Sequence, residues 1–480
     1  MIDVVFAFDV EDAVHPESDD AALRLCRIFS EEEVPVSLFV AGEKARVLRR
    51  RGRFDVIEAM RRHEICYHGN YWGDFPEPAI SYGSRLSFDE AVKLALDIEL
   101  PGLHDVAEIT GQYPVSWCCH QAQQSLPLQY AYKLANVRCW AGGPRGWIMN
   151  WLSWGRSNCA LSSQGTWSQR VDPTKRDQLK PPLNPDEDLR AAQVQFEQMA
   201  AERDFLTFVG HPVCWVTTEW ELAEWAVLFR RGSAGAYPRP DHFRKMQPRS
   251  AADQEAGYEF VRKLLRWIKP VDGVNLTNYT TLCERDEENP VQWVTWEQTV
   301  ELARRVLERF NYTVAHGTSF SCADMMGLFV FALQYCYNFG AWPDRLPVQR
   351  LLGPTEQPLH LNAPLTISRE DLFAGALATY AIMMDERRIP AKLRASFTDV
   401  GPGEWLMALA KFLVEAADTG ELPLEVSLPP TAMLPDAVNE PCLTERRFGS
   451  SNMPAGMDFT HLWDLLKWQS WSYRPAVSKR

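Results

Sequence analysis

The sequence predicts an α/β domain over residues 1–290, folded as a barrel or open sheet of repeated βα units, followed by a mainly α-helical domain over residues 291–480. Three observations predict it. Short apolar runs alternate with amphipathic helical stretches through the first 290 residues, acids and histidines sit where those runs end, and strand-like runs nearly vanish beyond that point.

In chain order, Val4-Val5-Phe6-Ala7-Phe8 suits a buried parallel strand and ends in the acidic cluster Asp9-Val10-Glu11-Asp12. Asp19 or Asp20 can cap a helix running to about Ser30, and Val34–Val40 reads as a second strand. A helix near 43–62, a strand at Glu64–Tyr67, a helix near 88–110 and strands near 114–119 and 137–141 continue the rhythm. From Cys139 to Trp167 the rhythm breaks; Trp140, Trp147, Trp151, Trp154 and Trp167 lie among glycines and serines, as in a long loop or lid. A helix near 186–202, a strand at Phe205–Val209, a helix around 251–268 and a strand near Val274–Leu276 complete the first domain. Helices at about 296–311, 320–339, 368–384 and 402–417 dominate the second. The stretches Arg345-Leu346-Pro347, Arg388-Ile389-Pro390 and Glu421-Leu422-Pro423 follow helices, a pattern expected of degenerate helical repeats in which proline stops each helix.

At 480 residues the chain exceeds the usual size of a single core. Its 46% hydrophobic and 24% charged residues are those of a folded globular protein. Fifty Lys and Arg against 63 Asp and Glu leave a net charge of −13, which repels phosphate backbones and anionic membranes, so neither nucleic acid nor membrane is an expected partner. The start, Met1-Ile2-Asp3-Val4, lacks a basic segment followed by an apolar one, no stretch has the length and apolarity of a membrane span, and the 11 cysteines show no paired zinc-ligand spacing. A reducing, cytoplasmic location is the expectation.

Along a strand of period two, Asp9 and Glu11 point to one side, so one carboxylate can act as a base while the other holds a metal ion. His63-Glu64-Ile65-Cys66-Tyr67-His68 and Phe208-Val209-Gly210-His211-Pro212 each place a histidine at a strand end, and an imidazole exchanges protons near neutrality. These signals, with Ser37-Leu38-Phe39-Val40 and Gly42-Glu43-Lys44, resemble in order the motifs of the polysaccharide deacetylase, or NodB-homology, family. Pro16-Glu17-Ser18-Asp19-Asp20, Arg51-Gly52-Arg53-Phe54, Leu352-Gly353-Pro354 and Gln469-Ser470-Trp471 extend the resemblance to a long-chain subgroup with a C-terminal helical domain.

The resemblance implies a distorted (β/α) barrel, Asp9 as base, His211 as general acid, and Glu11 or Asp12 with His68 as ligands of a divalent metal, zinc first. The chain departs from the family at two places. Where the family has a second histidine four residues after the first, this chain has Trp72, whose indole offers no ligand lone pair in the ring plane. Where many members have an arginine, Trp117-Cys118-Cys119-His120-Gln121 has none. Trp72, Trp117 and His120 are expected in the substrate pocket, and His15, His120 and Asp74 are candidates for the missing ligand. The implied activity is metal-assisted removal of an acyl group, acetyl above all, from an N-acylated sugar or related amide. With the ligand lost and no metal held, the same residues fit either an allantoinase-like hydrolase of small cyclic amides or a non-catalytic relative that binds a glycan or protein. The helical domain is the expected surface for a protein partner or a second copy of the chain.

Overall fold

A computed structural model describes residues 1–71, 80–118, 126–141, 146–148, 151–153, 159–160, 185–201, 204–218, 247–286, 292–395, 398–440, 443 and 460–475. The chain forms two compact units, one built from Met1–Pro144, Ser153–Arg285 and Arg447–Asp458, the other from Arg145–Leu152, Asp286–Arg446 and Phe459–Arg480.

The first unit is a curled parallel sheet clothed in helices, the distorted (β/α) barrel. Its first strand, β1 (Ile2–Val10), is buried along all nine residues, as a strand covered on both faces must be. Phe6 and Phe8 lie on one face against Phe29 of helix α1 (Pro16–Glu31), at ring separations of 5.4 and 5.7 Å. The odd-numbered positions, Asp9 among them, therefore face the other way. Beyond α1 come β2 (Ser37–Val40), α2 (Gly42–Arg50), α3 (Phe54–Met60), β3 (Glu64–Tyr67), α4 (Phe88–Thr110), β4 (Ser116–Trp117), α5 (Leu126–Leu134) and β5 (Cys139–Trp140). The rest of the unit supplies β6 (Cys159–Ala160), α6 (Pro185–Ala200), β7 (Phe205–Gly210), α7 (Ala251–Ile268), β8 (Val274–Thr277) and α8 (Tyr279–Asp286).

These strands run in the order β5-β4-β3-β2-β1-β7-β6, all parallel. One edge of β1 is taken by β7, while β2 and β8 share the other, β2 beside Ala7–Val10 and β8 beside Ile2–Val5. Two expected elements differ. α1 starts at Pro16 rather than after Asp19 or Asp20, because proline suits the first helical position, where its missing N–H has no partner to lose. The single helix expected near 43–62 is two, α2 and α3, parted where Gly52 takes a φ of 68°.

The second unit holds more strands than expected. Strand β9 (Gln292–Thr295) pairs antiparallel with β12 (Arg345–Val348), and between them lie α9 (Trp296–Glu308), the hairpin β10–β11 (Thr313–Ala315, Thr318–Phe320) and α10 (Cys322–Phe339). The plan then recurs. β13 (Leu365–Ser368) pairs with β16 (Glu425–Leu428), enclosing α11 (Arg369–Glu386), the hairpin β14–β15 (Leu393–Ala395, Thr398–Val400) and α12 (Pro402–Thr419). From the hairpin onward the interval between the copies is constant: Thr313 answers to Leu393, Cys322 to Pro402, and the left-handed helix caps Gly340 and Gly420 to each other. On this interval Pro423 answers to Pro343, whereas Pro347 of the Leu-Pro pattern lies inside β12. The duplicated piece is thus a strand-clasped helix pair rather than a proline-stopped helix.

The copies differ instructively at one cap. In α10, Ser321 accepts a hydrogen bond from the Asp324 N–H while the Asp324 carboxylate accepts from the Ser321 N–H. In α12 the cap is Gly401, because a Cβ there would stand 1.9 Å from the Leu359 carbonyl oxygen.

Candidate active site at the strand ends

Register brings the chemistry together. Val10 pairs with Val40, Val40 with Tyr67, Tyr67 with Trp117, and Phe8 with Gly210, so the strands end at one level. The residues just past those ends are Glu11, His68, Cys118 and His211, at the end of a parallel sheet where α/β proteins place their sites. His68 Nε2 lies 3.2 Å from Glu11 Oε2 and 3.8 Å from Asp9 Oδ2. His211 Nε2 lies 3.3 Å from Asp9 Oδ2 and 3.5 Å from Glu11 Oε1. On the opposite side of the first imidazole, His68 Nδ1 stands 2.8 Å from Cys118 Sγ, which is 3.8 Å from Asp9 Oδ1. Asp9, Glu11, His68 and Cys118 are buried, and His211 is 25% exposed, which makes it the cluster's contact with solvent.

Asp12 is not in this group. Its Oδ1 accepts hydrogen bonds from the N–H groups of Val14 (2.8 Å) and His15 (3.2 Å) and from His15 Nδ1 (3.3 Å), which ties the turn into α1. Burial by itself would raise the Asp12 pKa, but the His15 hydrogen bond and the charge of Lys44 bring it down to about 2. Lys44 Nζ, itself buried, donates to the Asp12 carbonyl (2.6 Å), Ser18 Oγ (2.9 Å) and Asp19 Oδ1 (2.6 Å). Arg51 pairs with Asp19 and donates to the carbonyls of Ala13 and Val14. The conspicuous stretches around Asp19 and Arg51 thus brace the loop that follows Glu11.

The segment after His68 is held against the middle of α4. Pro101 removes one N–H from the middle of that helix. Nearby, the Ile98 carbonyl accepts from Asn70 Nδ2 (2.5 Å) and the Glu99 carbonyl from Tyr67 Oη (2.9 Å). The Glu99 carboxylate takes the Asn70 N–H (2.8 Å) and the Tyr132 hydroxyl (2.8 Å). Gly102 makes this approach possible, since a Cβ there would stand 2.6 Å from Asn70 Cα.

Of the residues singled out by sequence, Asp9, Glu11, His68 and His211 converge, whereas Asp12 and His15 turn to the loop. Trp117 is a correction: it is fully buried, 4.4 Å from the Tyr132 ring and 6.0 Å from Trp140, because alternation on β4 sends it to the core and leaves the next residue for the site. The stretch Cys139–Trp167, expected as a long loop or lid, instead carries short strands at Cys139–Trp140, Gly146–Ile148, Trp151–Ser153 and Cys159–Ala160, and Trp140 is buried in the first of them. Trp72, Asp74, His120, Trp154 and Trp167 lie outside the described residues. Cys118 was missed as a site residue; its signal was its place immediately after a short strand, the same place that marks His68 and His211. One ligand atom each from Asp9, His68 and Cys118 lies within 4.8 Å of the others, so this set is the described group able to hold a metal ion.

A distorted (β/α) barrel with carboxylate, imidazole and thiol groups gathered at its strand ends is the class that fold and site define. No family model matches the chain, and no curated protein does. Among solved structures it is similar to a probable polysaccharide deacetylase from Pseudomonas aeruginosa PAO1, at 12% identity and a TM-score of 0.38 over 59% of this chain and 90% of that one. It is also similar to PuuE allantoinase (11%, TM-score 0.37, 59% and 89%) and to BA3943, a CE4 family pseudoenzyme from Bacillus anthracis (13%, TM-score 0.30, 58% and 66%). None of these similarities decides an activity, which rests on the chain's own residues.

Proposed function

We propose that the first unit is an amide hydrolase that removes an acyl group, acetyl above all, from an N-acylated sugar or related amide. The observation that carries this reading is the pairing of a buried carboxylate with a partly exposed imidazole, Asp9 Oδ2 and His211 Nε2 at 3.3 Å, at the sheet's site-forming end. Amide hydrolysis needs one group to take a proton from the attacking water and another to give one to the departing nitrogen. Asp9 takes the first proton and His211 supplies the second, leaving a carboxylate and an amine. Glu11, hydrogen-bonded to His68, fixes that ring beside Asp9.

The donor chemistry of Asp9, His68 and Cys118 fits a divalent ion, since carboxylate, imidazole and thiolate are all zinc ligands. Such an ion, when bound, polarises the acyl carbonyl and lowers the pKa of water.

The test is acetate release from a panel of N-acetylated glycans and small cyclic amides. Wild type is expected to release acetate and Asp9→Asn to release none, with His211→Ala slowed by about 10²–10⁴-fold. Turnover of cyclic amides alone assigns the small-amide reading, and saturable glycan binding with no turnover of any substrate overturns catalysis in favour of a binding protein.

A further inference from the structure

We infer that Cys118 is a metal ligand that takes over from the histidine absent at position 72, so that the site selects a thiophilic divalent ion of the zinc class over a hard one such as magnesium. The inference rests on the site proposed above but not on its hydrolytic activity.

Three facts carry it. The Cys118 thiol, His68 and Asp9 arrive from three different strands with donor atoms within 4.8 Å of one another, and ligand atoms about 2.0–2.3 Å from a shared zinc ion fall within such a span. His68 presents its two nitrogens to different neighbours, Nδ1 to Cys118 Sγ at 2.8 Å and Nε2 to Glu11 Oε2 at 3.2 Å. A ligating histidine gives one nitrogen to the ion and donates the other N–H to a carboxylate; with Nε2 on Glu11, Nδ1 is the nitrogen that would face an ion, and its present hydrogen bond to the Cys118 thiol would open as the ion enters between them. Finally, two buried carboxylates and a thiol converge on two imidazoles, and a divalent cation is the economical counter-charge for such a set.

Cys26 is the contrast within the same unit. Burial pushes its thiol up to about 12, so it stays protonated and serves as a small apolar side chain. Cys118 differs from it in place: its thiol lies against His68 and Asp9, and as thiolate it would hold an ion together with those two residues. Asp9 Oδ2 is the oxygen that faces His211, at 3.3 Å. A thiolate ligand favours zinc or cobalt, whereas magnesium and calcium prefer all-oxygen sites.

The experiment is a cobalt(II) titration of the chelator-stripped full-length protein. A thiolate-to-cobalt charge-transfer band in the near ultraviolet should saturate at about one equivalent, be displaced by zinc but not by excess magnesium, survive Cys26→Ser and vanish in Cys118→Ser. Should Cys118→Ser fail to fold, X-ray absorption on the zinc-loaded wild type counts one sulfur at about 2.3 Å. Cobalt bound without the band, a band that persists in a folded Cys118→Ser variant, a zinc shell without sulfur, or no bound ion at all overturns the inference. Acetate release by the same preparation separates the two proposals: a band without turnover leaves the ligand assignment standing and the hydrolase reading fallen, and turnover without a band does the reverse.

Discussion

Asp9, Glu11 and Asp12 show how one geometric rule assigns different work to neighbouring acids. Period-two alternation sends Asp9 and Glu11 toward His68 and His211, while Asp12, past the strand, closes the turn into α1. That Asp9 and Glu11 share a side could be read from sequence because alternation is local; Glu11, expected as a metal ligand, is hydrogen-bonded to His68. Asp12 could not be separated from Glu11 there, since the choice depends on where Val14, His15 and Lys44 stand. Asp12 also carries a pH signature. Its carboxyl is held at about 2 against an ordinary 3.8, so the ionised form favours the fold; the stabilisation is complete above about pH 4 and is lost as pH falls through 2. Between those limits wild type should lose about 2 kcal/mol more stability than Asp12→Asn, measured by urea unfolding at each pH. Lys44→Met should cost about 3 kcal/mol in the same assay at pH 7, because Asp19 is wholly buried and loses one of its two cationic partners.

Among elements, the long helices were the easiest to read. α4 and α7 occupy the spans that their apolar periodicity predicts, 88–110 and 251–268. The strands of the second unit were not legible, because runs of three or four residues are too short to display alternation and are fixed by partners such as β9 for β12 and β13 for β16. The functional detail of α4 was also hidden. The helix continues through Pro101 and Gly102, and the absence of a side chain at Gly102 admits Asn70. Gly102→Ala should therefore lower stability by about 1–3 kcal/mol, seen as a fall in thermal midpoint, since the added methyl meets Asn70 backbone rather than a yielding side-chain tip. The same substitution at Gly52, with open space around it but a φ of 68°, tests backbone strain alone.

At the scale of the molecule, the second unit is a duplication whose copies have diverged where they bear load. Asp324 and Glu404 hold the same helical position, but the Asp324 carboxylate receives Arg350 (2.8 Å) and the buried Arg474 (3.2 Å), while Glu404 receives His360 Nδ1 (3.1 Å) and the Leu361 N–H (3.0 Å). Asp324→Ala should cost about 3–5 kcal/mol and Glu404→Ala about 1–3 kcal/mol, compared by chemical denaturation. This symmetry escaped the sequence because the Leu-Pro pairs that suggested repeats are not the equivalent positions. No described helix is long and apolar enough to cross a membrane. In the first unit, the strand that bears Asp9 is made first and finished last. Its partners β7 and β8 end at Gly210 and Thr277, and Arg285 pairs with Asp3 at 3.0 Å. During synthesis the nascent β1 therefore keeps an unpaired edge until residues up to Thr277 have emerged, and an unpaired strand edge is a template for aggregation for that long.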